Sequence, residues 1–322
     1  MNKQGVAAVL CLSGVSVATG AGPILISSFD PSLGGSINSI GYDQTTNQLY
    51  IHYEYSSDYH VYTTDGTYLR SIPKPYAGGN DDDIEFLHEQ ALITGGLSAP
   101  PGTLISIEND SSPPRVYAVN PIDGTVMAMQ PFGGVAGGWV GGAQQAGSIF
   151  YAVSWTRDTV QRIDVSSGVV LAEFDVVPAG ASAFDVFYGD LDILAADGKI
   201  YLVSSSQDVI RVLRTDGSWA GDFDVEALGI SGMSGLAFDD ARHEAWISST
   251  NGTIYRLGGF PLEGCGIADL APPFGLLDLT DVTTFITAFI AGEPAADLAE
   301  PYGLYDLQDV LAFIAAFTAG CS

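Results

Sequence analysis

Four times between residues 60 and 225 the chain returns to a tight turn closed by glycine: Thr64-Asp65-Gly66, Ile122-Asp123-Gly124, Ser166-Ser167-Gly168 and Thr215-Asp216-Gly217. Alternating runs flank each turn, HVYTT with TYLRSI, RVYAVN with TVMAMQ, TVQRIDV with VVLAEFDV, and VIRVLRT with SWAGDFDV. Glycine accepts positive φ and alternation buries one strand face, so these are four hairpins. The glycines lie 58, 44 and 49 residues apart, close to the repeat of about 40–50 residues in a four-stranded propeller blade.

Further strand pairs precede the hairpins, such as SINSIGYD with QLYIHYEY, WVGGAQQ with SIFYAVSW and MSGLAFDD with EAWISST. Together they predict an all-β propeller over 22–260. Its blades are expected near 36–72, 83–130, 139–176, 183–225 and 233–259, the last of which lacks a fourth strand. PILISSFD at 23–30 matches the outer strands, SSF corresponding to AEF and GDF, and is expected to close the ring against 253–259. Closure removes the edges an open sheet would expose. The long second unit, with loop-like Ala99-Pro100-Pro101 and Ser111 to Pro114, leaves room for a sixth blade. Phrases such as GLAFDDARHEAWISSTNGTIYRL and DGKIYLVSSSQDVIRVLRTDG resemble the broad YVTN/NHL-type group of bacterial propellers. That resemblance implies the fold and little about activity.

The N-terminus reads as a secretory signal over 1–21: Lys3, an apolar stretch from Gly5 to Val17, then Ala18-Thr19-Gly20-Ala21. Its competitor, a buried first strand, lacks alternation and β-branched residues. A secreted or extracellular protein is therefore expected, starting near Ala21. Losing Cys11 with the signal leaves Cys265 and Cys321, and an even pair in an exported chain reads as a disulfide. No later segment reaches the length of a membrane span.

A second repeat occupies 265–322. ADLAPPFGLLDLTDVTTFITAFIAG at 268–292 and ADLAEPYGLYDLQDVLAFIAAFTAG at 296–320 align without gaps at a period of 28, identical at 17 of 25 positions. Val282, Phe285, Ile286 and Phe289, and likewise Val310, Phe313, Ile314 and Phe317, predict one apolar stripe on each of two short helices. The doubled loop-helix unit, framed by Cys265 and Gly320-Cys321, resembles a divergent dockerin of the type ending in Gly-Cys.

The resemblance implies a small helical C-terminal domain, a cohesin-like or cell-surface protein partner and Ca²⁺ in EF-hand-like loops. Its implied ligands are Asp269, the Leu276 carbonyl, Asp278 and Asp281, with Asp297, the Leu304 carbonyl, Asp306 and Asp309 in the second copy. Gly275 and Gly303 match the turn glycine. The loops depart from the family where Pro272, Pro273 and Phe274 replace oxygen-bearing residues, while Ca²⁺ takes six to eight oxygens. An alternative stays open, because Asp278 with Asp281 and Asp306 with Asp309 also fit helix N-caps and their N3 partners.

The chain carries a formal charge of -27 from 11 Lys+Arg against 38 Asp+Glu. Phosphate recognition needs a basic surface, so nucleic acid is excluded as a partner. An anionic membrane is disfavoured on the same ground. Catalytic signatures are absent: His52, His60, His88 and His243 form no HExxH motif, and no Gly-x-Ser-x-Gly elbow occurs. The histidines read as ordinary strand or loop residues. Asp81-Asp82-Asp83 with Glu85 could hold a cation at the axis, yet a solvated turn is the simpler reading; Asp190 with Asp192, and Asp239 with Asp240, read the same way. Trp139, Trp155, Trp219 and Trp246 would form either a sugar-binding rim or core. The sequence thus points to a non-catalytic propeller that binds a protein or glycan partner. The competing class is a lactonase- or gluconolactonase-like hydrolase with an axial metal, marked by carboxylates from different blades meeting at the channel.

Overall fold

The computed structural model describes residues 23–319, apart from 32, 77–82, 94–95, 109–112, 134–137, 261–267, 269, 272–276, 278, 293–295, 297 and 300–303. It is a five-bladed propeller of four-stranded antiparallel sheets, followed by two helices.

Blade 1 is a meander of β2 (Ile37–Asp43), β3 (Gln48–Tyr53), β4 (Asp58–Thr63) and β5 (Tyr68–Pro73). Blade 2 takes β6 (Asp83–Phe86), β9 (Leu104–Glu108), β10 (Arg115–Val119) and β11 (Val126–Pro131). Between its first two strands a separate hairpin, β7 (Ala91–Ile93) with β8 (Leu97–Ala99), is inserted. That hairpin, and no sixth blade, occupies the extra length among the described residues of the second unit. Blade 3 is β12 (Trp139–Ala146), β13 (Ile149–Ser154), β14 (Thr159–Asp164) and β15 (Val169–Asp175). Blade 4 is β16 (Asp190–Ile193), β17 (Ile200–Val203), β18 (Val209–Leu213) and β19 (Trp219–Asp224).

Blade 5 joins β20 (Met233–Asp239), β21 (Glu244–Ser249) and β22 (Ile254–Gly258) to β1 (Ile24–Phe29). The register runs from Ile24 opposite Gly258 to Phe29 opposite Ile254, the closure expected from the sequence. Five hydrophobic clusters each bridge two neighbouring blades, one of them packing Ile40 and Tyr42 of blade 1 on Ala237 and Trp246 of blade 5. The ring is therefore closed by core packing as well as by the β1–β22 ladder.

Inner strands crowd at the axis. A Cβ at Gly141 would lie 2.2 Å from Asp190 Oδ1, and one at Gly235 2.8 Å from the Ile40 amide nitrogen. Glycine at these positions lets a carboxylate or a neighbouring backbone approach.

The C-terminal helices are α1 (Leu279–Ala291) and α2 (Leu307–Ala319). Phe285 stacks on Phe313 with centroids 4.2 Å apart, flanked by Val282, Phe289, Val310 and Phe317. The inward stripe is narrower than the sequence suggests, because Ile286 and Ile314 are each 49% exposed. Two helices close only along one line of side chains each, and the residues beside that line stay outside. Among the described residues no helix is long and apolar enough to cross a membrane.

Candidate functional site

Side chains from all five blades meet at the end of the axis where the inner strands finish. The inner strand of each blade has one edge without a sheet partner, so its amides need acceptors from elsewhere. Carboxylates of the neighbouring blade supply them. Asp83 Oδ2 accepts from the Gly142 amide at 2.8 Å. Asp190 Oδ2 accepts from Leu236 at 2.8 Å and Asp192 Oδ2 from Phe238 at 2.7 Å.

Asp83, Glu85, Asp190 and Asp192 are only 1%, 4%, 1% and 2% exposed. The solvated turn expected around Asp83 and Glu85, and for the Asp190–Asp192 pair, is thus corrected: these acids alternate along β6 and β16, Asp83, Asp190 and Asp192 reach the next inner strand, and Glu85 accepts from the Phe86 amide and pairs with His88. Asp81 and Asp82 lie outside the described residues. Burial and then neighbouring carboxylates push Asp83, Asp190 and Asp192 well above the usual carboxylate range, Glu85 acting on the first and last and Asp83 on Asp190.

Above these acids sits His88, just past β6. Its Nδ1 lies 2.7 Å from Asp240 Oδ2 and its Nε2 3.4 Å from Glu85 Oε1. Burial disfavours the imidazolium, but the hydrogen bonds it donates to Asp240 and Glu85 outweigh this and push the ring up to about 11. His88 is therefore a fixed cation at neutral pH, and the expectation of an ordinary loop histidine is corrected.

Asp240 gathers the surrounding blades. Besides His88 from blade 2, it accepts from the Gln44 side chain of blade 1 at 2.9 Å and from the Ala195 amide next to blade 4 at 2.8 Å. Burial would raise this carboxyl, but its bond to His88 holds it below the usual range. Blade 3 joins through Gln144, whose Oε1 accepts from the His88 and Glu89 amides at 2.9 and 3.1 Å. A cavity of about 210 Å³ opens here, with Phe86, Leu87 and Pro101 beside Gln44, His88 and Asp240.

Neither a family model nor a curated protein sequence matches the chain. Among solved structures, the glutaminyl cyclase of Myxococcus xanthus matches with a TM-score of 0.53 at 10% identity, over 73% of this chain and 95% of that one. The WD40 propeller domain of Doa1 matches at 0.43 and 12% identity, over 70% of this chain and 79% of that one. Virginiamycin B lyase of Staphylococcus aureus matches at 0.41 and 15%, over 69% and 66%. The likeness is one of fold. Such identities carry no activity across.

Of the tryptophans, Trp139 and Trp246 are core, whereas Trp155 and Trp219 are 37% and 38% exposed. Trp155 packs edge-on to Phe187 at the opposite mouth of the ring, beside Tyr188. Among the described residues, no three His, Cys, Asp or Glu side chains are grouped as metal ligands are.

In the C-terminal unit, Asp269, Leu276, Asp278 and Asp297 lie outside the described residues, as do Cys265 and Cys321. The described carboxylates act on backbone amides. Asp281 Oδ1 accepts from Leu270 and Ala271 at 2.8 and 2.9 Å, and Asp309 Oδ1 from Leu298 and Ala299 at the same two distances. Asp306 Oδ1 accepts from Gln308, while Asp309 Oδ2 accepts from the Asp306 amide at 2.9 Å. Asp306 thus caps the helix through the N2 amide, and Asp309 at N3 reaches back to the Asp306 amide as in one half of a capping box. The Asp306 amide, together with those of Ala299 and Leu298, holds the Asp309 carboxyl below its ordinary value. These described acids fit helix caps, while Asp269, Leu276, Asp278 and Asp297, which the calcium reading also needs, lie outside the described residues. Leu304 is exposed, just before α2.

Proposed function

We propose that the chain is an exported, non-catalytic β-propeller that binds a protein or glycan partner and is attached through its C-terminal two-helix unit. One observation carries this reading: each helix holds a second apolar line outside the core. Leu279, Ile286 and Ile290 on α1 are 74%, 49% and 79% exposed, and Leu307, Leu311 and Ile314 on α2 are 65%, 50% and 49% exposed. Their spacing keeps each set on one helix face. Leu279 with Leu307, and Ile286 with Ile314, recur at the repeat period of 28. Apolar side chains held outward in duplicate mark an interaction surface, and the occupant is a cohesin-like protein at the cell surface. A hydrolase would need axial carboxylates free to act on metal and substrate. Asp83, Asp190 and Asp192 instead use an oxygen to clasp the next blade, which favours a structural role.

The test is fractionation of the producing cells, with mass spectrometry of the exported chain. The wild type is expected at the surface, starting near Ala21. The double variant Leu311→Asp/Ile314→Asp is expected in the medium with unchanged propeller melting. Retention of that variant at the surface, or a chain that keeps Met1 in the cytosol, overturns the reading.

A further inference from the structure

The cavity above the axis has an unequal supply of hydrogen-bonding groups. Its charged donor is committed: His88 spends Nδ1 on Asp240 and Nε2 on Glu85, and the Gln44 amide gives one of its two N–H groups to Asp240. Acceptor capacity remains. A carboxylate offers about four lone-pair sites, and Asp240 receives three donors, from His88, Gln44 and Ala195. Its side chain is still 17% exposed. A ligand that donates is the one best served here.

Charge decides what kind of donor. Glu85 and Asp240 stand against one imidazolium, Asp43 also lines the wall, and no Lys or Arg does. Asp43 is already engaged by Thr45 and Thr46. The raised titration of His88 reports the same negative potential. Phe86, Leu87 and Pro101 supply apolar wall, which suits an aliphatic stem and leaves a sugar ring's hydroxyls without enough partners.

We propose that this cavity binds a primary alkylammonium ion, its nitrogen donating to Asp240 and its methylenes lying on Phe86, Leu87 and Pro101. The proposal rests on the binding-propeller reading and names the ligand class of the ring. The ammonium could belong to a free amine or to a lysine side chain.

Calorimetric titration of the full chain with pentylammonium tests it, beside pentanol and pentanoate of the same stem. Saturable binding of pentylammonium alone is expected. Asp240→Asn should weaken it at least about tenfold, through loss of a charge-assisted hydrogen bond. Because Asp240 also joins blades, Pro101→Trp provides a second variant, which fills the cavity from an exposed turn and should abolish binding. An N-acetyl-lysine amide that binds as well as pentylammonium identifies a protein lysine as the source, and binding of pentylammonium and diamines alone identifies a free amine. Absence of saturable binding, equal binding of pentanol or pentanoate, or unchanged affinity in Pro101→Trp overturns the proposal. Surface retention through α2 is read separately, so failure of one reading leaves the other legible.

Discussion

His88 is held between two acids from different blades, and its charge is what makes that mouth tolerable. Replacing it by glutamine keeps a hydrogen-bonding side chain of similar length and removes the cation. Glu85 and Asp240 then face each other uncompensated in a poorly solvated place. His88→Gln is expected to cost roughly 3 kcal/mol, the scale for breaking a buried pair by deleting one partner. Urea denaturation measures it; a loss within about 0.5 kcal/mol, the range of ordinary surface changes, would show that the clasp is idle. The sequence carried a signal for the acids that frame this histidine. Asp83-x-Glu85 and Asp190-x-Asp192 place charge at alternate positions of strands otherwise apolar, and a period of two on an inner strand sends both side chains the same way. It carried no signal for His88, Gln44 and Asp240, which are far apart in the chain and become neighbours only because the ring closes.

At the level of elements, legibility followed periodicity. The hairpins and the closing strand were readable because each has a turn glycine or a repeated phrase. The β7–β8 hairpin was not, since three-residue strands such as Ala91–Ile93 are too short to show alternation. In the helical unit the repeat located both helices, but the aspartates at their starts fitted caps and calcium loops alike. Ligation and capping use the same residue at the same spacing, so only the partner atoms separate them. With Asp306 as N-cap, Asp306→Ala is expected to destabilise α2 by about 1 kcal/mol. Hydrogen exchange in the full chain would show this as lost protection at the first-turn amides, in buffer with chelator as well as with millimolar Ca²⁺. Protection that appears only with Ca²⁺ would instead support the metal reading.

For the whole molecule, two sets of buried groups pull stability in opposite directions with pH. Asp83, Asp190 and Asp192 titrate above their ordinary range, so the folded state holds their protons more firmly than the unfolded chain. That stabilisation is complete below about pH 4 and is lost as pH rises through the raised values. His52 goes the other way. Burial, then Lys74, lowers it from 6.5 to about 3, so its contribution is present above about 6.5 and is lost as pH falls towards 3. The melting temperature should therefore pass through a maximum in mildly acidic buffer. His52→Phe should flatten the acid limb, and Asp83→Asn, whose amide can donate where the acid needs a proton, the alkaline limb. A melting temperature rising steadily to pH 9 in the wild type would refute the axial assignment. The position of β22 has a mechanical consequence. Any pull on the region after residue 260 enters the ring through this strand, which lies between β1 and β21. The load is thus borne by two backbone ladders at once, and extraction would have to shear both, where an edge strand could be peeled away one bond at a time.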